Sequence, residues 1–154
     1  MSSSFLISNA LTELNTSTVK WNVKVRAQAV WRGINRETKE FRGINVLFVD
    51  DSKCRIHAFV NARYAPLFEK ELEEGQIYNV SNFIVQEYTG LEFHRCVRYD
   101  KHIYFADYTK LEKITDNALK IPPCAFDLFN LEDLEGMSSD KRFLCGNYLQ
   151  LCIT

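Results

Sequence analysis

Residues 55–85, RIHAFVNARYAPLFEKELEEGQIYNVSNFIV, decide the expected fold because their hydrophobic period changes twice. Read with the period of two that a strand has, RIHAFV places three apolar side chains on one face, those of Ile56, Ala58 and Val60. The opposite face carries Arg55, His57 and Phe59. A cation, an imidazole and a phenyl ring form a face that solubility alone does not require. We therefore expect this face to bind a ligand.

The middle of this stretch, NARYAPLFEKELEEG, has the signals of a helix. Asn61 is placed to act as its N-cap, Pro66 lies near the first turn, and Gly75 stands where a C-terminal glycine belongs. We predict a helix of about three turns. QIYNVSNFIV then returns to the alternation of a strand.

The flanking segments read as further strands. KWNVKVRAQAV (20–30) and INVLFVDD (44–51) come before, joined by the polar segment WRGINRETKEFRG (31–43), which we predict to be a long loop. LEFHRCV (91–97) is expected to form a hairpin with the strand before it through the turn QEYTG, and HIYFADY (102–108) is one more extended piece. Three strands, one helix and two or more strands predict an all-β fold with one short helix, the OB-fold. This is a five-stranded, partly open Greek-key barrel with its helix between strands three and four.

Composition and charge limit the classes of function. The chain of 154 residues is 46% hydrophobic and 25% charged, which suits one globular domain. Its net charge of -1 hides an uneven distribution, since residues 1–110 hold 15 lysines and arginines against 13 acids and residues 111–154 hold 4 against 7. The five cysteines form no CxxC pair, and the N-terminus has neither a basic start nor a long apolar run. We expect a soluble protein of a reducing, intracellular compartment.

Five motifs in order resemble a known family: KWNVKVR, FVDD, RIHAFVN, LFEKELEEGQIY and VSNF. Over residues 20–115 they resemble the single-stranded-DNA-binding OB domains of the replication protein A large subunit, most closely the plant-type replication-protein-A-like first OB domains. The segment from IPPCAFD to the end resembles the family's linker running into a second OB domain. We therefore predict an N-terminal extension (1–19), an OB domain (20–115), and a linker with the stub of a second OB domain (116–154).

The resemblance implies binding of single-stranded DNA with little sequence preference, in replication, repair or recombination in the nucleus. Other replication protein A subunits or repair proteins are the implied protein partners. The residues independently predict the same ligand, because proteins bind single strands by stacking aromatic rings on the bases and by placing cations along the phosphates. In an OB-fold the face of strands two and three and the loops after strands one and four do this.

Ten residues are expected to contact the nucleic acid: Trp31, Arg32, Arg42, Arg55, His57, Phe59, Phe83, Tyr88, Phe93 and Arg95. By the resemblance, His57 matches a family arginine that contacts DNA, and Phe93 matches a stacking phenylalanine. The family's second stacking phenylalanine is replaced here by Asn61, so Phe59 or the nearby Tyr64 substitutes for it or binding is weaker. Three of the ten have equally simple alternatives: Trp31 tucked against the barrel, Phe83 in the core, and Arg95 as solvated surface.

Metal sites and catalysis are not expected. Cys54 and His57 differ in strand parity and point to opposite faces, which argues against a zinc site with His94 and Cys96. No nucleophile elbow, phosphate loop or distinct carboxylate pair occurs in the sequence. We expect a protein that is not an enzyme, with no cofactor, no membrane partner and no small-molecule substrate. A peptide bound in the same groove and single-stranded RNA remain alternative ligands.

Overall fold

The structure, a computed structural model, describes residues 8–89, 96–115, 120–123 and 125. A short 3-10 turn, Leu11–Glu13, comes first. The strands are β1 (Asn22–Ile34), β2 (Phe41–Val49), β3 (Arg55–Asn61), β4 (Ile77–Ser81), β5 (Ile84–Glu87), β6 (Lys101–Tyr104) and β7 (Lys110–Ile114). The helix α1 (Ala65–Phe68) lies between β3 and β4.

The strands form one sheet that closes into a barrel. Its order is β5-β6-β3-β2-β1-β4-β7, with β3 and β6 parallel and the other pairs antiparallel. Only Asn82 and Phe83 separate β4 from β5, so one bent strand pairs with β1 through its first half and with β6 through its second. The positive φ of Asn82, 60°, marks the bend. Counting β4 and β5 as one strand leaves six strands: the five of an OB-fold and β7, which pairs with β4 at the edge of the sheet. The predicted fold class is thereby confirmed.

The prediction for the connection between the first two strands was wrong in its extent. The segment 31–43 is not a long loop, because β1 continues to Ile34 and β2 starts at Phe41, leaving only 35–40 between them. Its polar composition reflects exposure of this part of the ladder, not an absence of pairing. Of the predicted fifth strand, 91–97, residues 96 and 97 lie in a bend, and the strand that pairs with β5 in the described part of the chain is β6. Residues 91–95 of that prediction lie outside the described part of the chain.

The helix is shorter than the three turns predicted. It spans four residues, its N-cap is Tyr64, and Asn61 is the last residue of β3, not a cap. A buried side chain explains the early end, because the hydroxyl of Tyr78 accepts a hydrogen bond from the Glu73 N–H (2.8 Å) and donates one to the Glu71 carbonyl. These backbone groups are thereby bound to the barrel instead of to a continuing helix.

Residues on both sides of the predicted OB domain pack against the barrel. Leu11 and Leu14 belong to the same buried cluster as Ile56, and the Leu11 N–H donates to the Asp50 carboxylate (3.1 Å). On the other side, Ile121 packs with Val49 in a second buried cluster. The predicted boundaries at 20 and 115 stay a prediction, and residues 126–154 lie outside the described residues.

Candidate nucleic-acid interface

Three rows of residues cross the outward face of the sheet, each made of residues that the strand register places opposite one another. The histidine row is Ala29, Leu47, His57 and His102. The aromatic row is Trp31, Asn45, Phe59 and Tyr104. The glycine row is Gly33, Gly43 and Asn61. Because side chains alternate across a strand, all of these point away from the core residues Ile56, Ala58 and Val60, as the sequence predicts for the face of β3.

The histidine row is largely covered. Leu47 is 2% exposed although it points outward, because Val97 packs on it together with Ala29, Cys96 and Tyr99. The chain after β5 thus folds back over this part of the face. The aromatic row stays accessible, with Trp31 39% exposed and its other members half-buried. The accessible site is therefore the aromatic row and the glycine row beside it.

Trp31 of the aromatic row packs on His57 of the neighbouring histidine row. Their rings are stacked, with centroids 6.0 Å apart and planes 13° from parallel. His57 Nε2 also makes a 2.8 Å hydrogen bond with Oδ1 of Asn45. Burial, and secondarily the neighbouring His102, lowers the pKa of His57 from 6.5 to about 4, so that its ring is neutral at physiological pH. His57 therefore contributes a polar aromatic ring to the face and not a positive charge.

A second group of rings continues from β3 to β6. Phe59 meets Tyr104 edge-on with centroids 6.1 Å apart, and Tyr104 meets His102 edge-on at 4.8 Å. Tyr88, half-buried after β5, lies 4.3 Å from His102 at a tilt of 56°. Sequence reasoning missed Tyr104 and His102, although HIYFADY was read as extended. Their shared parity was the available signal, but the parallel pairing of β6 with β3 was not foreseen.

Gly43 fixes the position of the Phe59 ring. The φ of Gly43 is 148°, and a Cβ placed there would lie 2.7 Å from Cζ of Phe59 and 2.2 Å from the carbonyl oxygen of Val60. The ring therefore lies against bare backbone of β2, where no other residue type fits without a shift. This close approach holds the Phe59 ring against β2.

Arg42 is the cation nearest to the glycine row. It is the extra residue of a β-bulge, since Gly33 pairs with Gly43 while Ile34 pairs with Phe41. Its Cβ lies 3.9 Å from the position a Cβ on Gly33 would take, and its side chain is exposed. Two further exposed cations, Arg36 and Lys39, stand on the connection 35–40. The prediction placed Arg42 in a loop, but it lies within β2.

Arg32 lies on the other face of the sheet. It is opposite Ile44, a core residue, so its side chain points away from that of Trp31. The guanidinium covers the Phe41 ring, 4.1 Å from the centroid, and forms an ion pair with Glu69. The structure thus separates Arg32 from the residues with which it was predicted to act.

The remaining predicted contacts have other positions. Arg55 is on the outward face but is only 4% exposed, and Phe83 is fully buried in the core, as its alternative reading held. Phe93 and Arg95 lie outside the described residues, and their roles stay predictions. The exposed Asn61 ends the glycine row, while Tyr64 is half-buried with the guanidinium of Arg63 5.8 Å from its ring. The structure therefore brings together Trp31, Arg42, His57, Phe59 and Tyr88 from the predicted set.

The described ranges contain no cluster of three or more His, Cys, Asp or Glu residues arranged to hold a metal ion. Within the same ranges, no helix has the length and apolar character that crossing a membrane would need.

Comparisons with known proteins agree with the topology. A family model described as domain of unknown function DUF223 matches residues 12–130. No curated protein matches the chain. Among solved structures, a replication protein A heterotrimer bound to single-stranded DNA is similar at 19% identity with a TM-score of 0.61, over 83% of this chain. The chain spans only 29% of the length of that replication protein A chain.

A second solved structure has nearly the length of the described barrel. DNA binding domain A of replication protein A from S. cerevisiae is similar at 21% identity with a TM-score of 0.50, covering 71% of this chain and 96% of the domain. At these identities the likeness establishes the fold, which is the OB-fold read from the strand order.

Proposed function

The chain belongs to the DUF223 family, a domain of unknown function, and on that premise we propose that it binds single-stranded nucleic acid across the aromatic row. One observation carries the proposal. Trp31, Phe59 and Tyr104 stand in a single register row on an accessible face of the barrel, with Arg42 at its edge. In an OB-fold this face is the usual place for an oligonucleotide.

The spacing of the row suits stacked bases. Neighbouring strands lie about 4.8 Å apart, so Trp31 on β1 and Phe59 on β3 are separated by roughly 10 Å. That distance leaves room for one base on each ring. Stacking contributes about 1–3 kcal/mol per base and tolerates any base, because every base has a π-face. Two platforms account for binding with little sequence preference.

The exposed cations on the side of β1 and β2 set the expected salt dependence. Arg36, Lys39 and Arg42 are exposed and lie on or beside the connection between these strands. For single strands, log K falls with log salt by about 0.7 for each phosphate neutralised, so three contacts give a slope of about -2. The proposed binding relies more on stacking than on charge, and its affinity is modest for a single domain.

The finer assignment is to single-stranded DNA, in replication, repair or recombination in the nucleus, with other replication protein A subunits or repair proteins as partners. It is supported by the resemblance of the motifs over residues 20–115. The similar replication protein A structure is bound to single-stranded DNA, in keeping with this ligand. The proposed activity is binding alone, with no bond made or broken.

A fluorescence-anisotropy titration with labelled decathymidine tests the proposal. We expect saturable binding at low salt, a slope near -2 in log K against log salt, and loss of about 5- to 150-fold in affinity for Phe59→Ala. Tyr108→Ala is the matched control, since Tyr108 is an exposed aromatic residue outside the row. Absence of binding at low salt refutes the proposal. Oligouridine in a parallel titration decides between DNA and RNA, because tighter binding of RNA would overturn the finer assignment.

A further inference from the structure

The member of the aromatic row that is not aromatic has a fixed orientation. Asn45 stands between Trp31 and Phe59, on the strand between theirs. Its Oδ1 faces Nε2 of His57 at 2.8 Å, on the side of the histidine row. Its Nδ2 points the opposite way, 3.0 Å from the position that a Cβ on Gly33 would occupy. The amide therefore has its oxygen toward the histidine row and its nitrogen toward the glycine row.

His57 determines which end of the amide faces outward. Its ring is neutral at physiological pH, because burial lowers its pKa to about 4. A neutral imidazole carries one N–H, and the tautomer that matches Oδ1 of Asn45 beside Nε2 has this proton on Nε2, where it is donated to the oxygen. The ring itself is held by its stacking on Trp31. In this tautomer the hydrogen bond orients the Asn45 amide with Nδ2 away from His57.

The outward N–H groups lie beside Gly33, which has no side chain to cover them. A donor in this position would be hydrogen-bonded to water in the free protein. It would be left without a partner if a stacked base displaced that water and offered no acceptor.

We propose that Asn45, positioned by His57, contacts a base in the groove at one nucleotide position by donating its amide N–H to an acceptor on the base edge, such as a carbonyl oxygen of thymine or uracil. This inference rests on the proposed function. Thymine and uracil carry two ring carbonyl oxygens, one on each side of the ring N–H, so an acceptor oxygen is offered with either edge toward Asn45. Adenine has no carbonyl oxygen and offers its ring nitrogens as acceptors instead. The other nucleotides of the strand are held by stacking and stay unselected.

The test compares two labelled decamers, decathymidine and a decamer of 2,4-difluorotoluene nucleosides, which have the shape of thymidine but lack its carbonyl oxygens. The protein is expected to bind decathymidine about three- to tenfold more tightly, the range for one hydrogen bond between neutral groups. Asn45→Leu, which keeps the size of the side chain, should bind the two decamers alike. Asn79→Leu is the matched control, because Asn79 is a half-buried asparagine on β4, and it should keep the preference.

The positioning role of His57 has a separate readout. His57→Phe keeps a ring against Trp31 but removes the donor that holds Asn45, so the thymine preference should fall below about twofold while the difluorotoluene decamer is still bound. A purely structural role would weaken both decamers equally. If Asn45→Leu does not fold, Asn45→Asp serves instead, since its added charge repels both decamers equally and the ratio of affinities still reports the lost donor.

The outcomes separate this inference from the proposed function. Equal binding of the two decamers by the unaltered protein, or a preference that survives in Asn45→Leu, overturns the role of Asn45 and leaves single-strand binding in place. Failure of the unaltered protein to bind either decamer at low salt overturns both.

Discussion

Replacing Trp31 by alanine is expected to weaken nucleic-acid binding much more than folding. The indole is 39% exposed and uses one face on His57, so the folded protein loses little beyond that ring pair. Ring pairs contribute about 0.5–1.5 kcal/mol to stability, which corresponds to a few degrees in Tm for a domain of this size. Loss of a base platform costs about 1–3 kcal/mol of binding free energy, or roughly 5- to 150-fold in Kd.

The intrinsic fluorescence of the protein gives an assay specific to this side chain. The chain has two tryptophans, and Trp21 is half-buried with its indole N–H donated to the Asn15 carbonyl at 3.2 Å. In Trp21→Phe the remaining Trp31 should be quenched when decathymidine is added, because a base stacks on it. In Trp31→Phe the remaining Trp21 should not respond. Anisotropy with labelled decathymidine then gives the affinity of Trp31→Ala, with Tyr108→Ala as the control.

Two results would contradict this reasoning. One is an affinity of Trp31→Ala equal to that of the unaltered protein while its Tm shows it to be folded. The other is quenching on addition of decathymidine that persists in Trp31→Phe, since the reporting tryptophan would then lie outside the aromatic row.

Three further predictions concern the framework of the site. Burial lowers the pKa of His57 from 6.5 to about 4, so the unfolded chain takes up this proton first as the pH falls. The free energy of unfolding should therefore fall by up to about 1.4 kcal/mol for each pH unit between pH 6.5 and 4. In His57→Gln, the free energy of unfolding from urea titrations should depend less steeply on pH. Gly43→Ala should lower the free energy of unfolding by about 2 kcal/mol or more, since its Cβ would meet a carbonyl oxygen at 2.2 Å. Gly75→Ala should lower it by about 1 kcal/mol, because Gly75 has a φ of 87° but nothing lies within 4 Å of its Cβ position. Thermal unfolding measures both losses. Arg26→Met removes two hydrogen bonds to the Ile121 carbonyl, 2.8 and 3.2 Å, and should speed proteolytic cleavage near residue 121 about fivefold or more.

Each of these predictions has a contradicting outcome. An unchanged pH slope in His57→Gln would mean that other groups carry the acid sensitivity. Equal losses in Gly43→Ala and Gly75→Ala would mean that the contact of Gly43 with Phe59 and Val60 is not tight. A cleavage rate in Arg26→Met equal to that of Lys24→Met, a change at an exposed lysine of the same strand, would mean that Arg26 does not hold the segment around residue 121.

The side of β3 that carries the site could be read from the sequence because it depends only on alternation. His57 and Phe59 point outward since Ile56, Ala58 and Val60 must point inward, whatever the strand pairs with. Exposure could not be read in the same way. Arg55 shares the outward face but is only 4% exposed, a burial that the alternation of its strand does not predict.

The two sides of β1 show the same limit. Trp31 and Arg32 are adjacent, and as members of a loop they were expected to act together. Because β1 continues through them and pairs with β2, they point to opposite faces, and Arg32 is occupied by Phe41 and Glu69. Assignment of a segment to loop or strand thus decides which of its charges can reach a ligand.

The sequence by itself determined the order of the elements, the OB-fold and the outward face of β3, because hydrophobic period and turn residues act over a few positions. Only the tertiary structure decided which residues accompany that face. The parallel pairing of β6 with β3 brings Tyr104 beside Phe59 across more than forty residues of chain, and the pairing of β2 with β3 places Asn45 against His57. Such contacts depend on the pairing of strands that are distant in sequence, and no local sequence pattern predicts them.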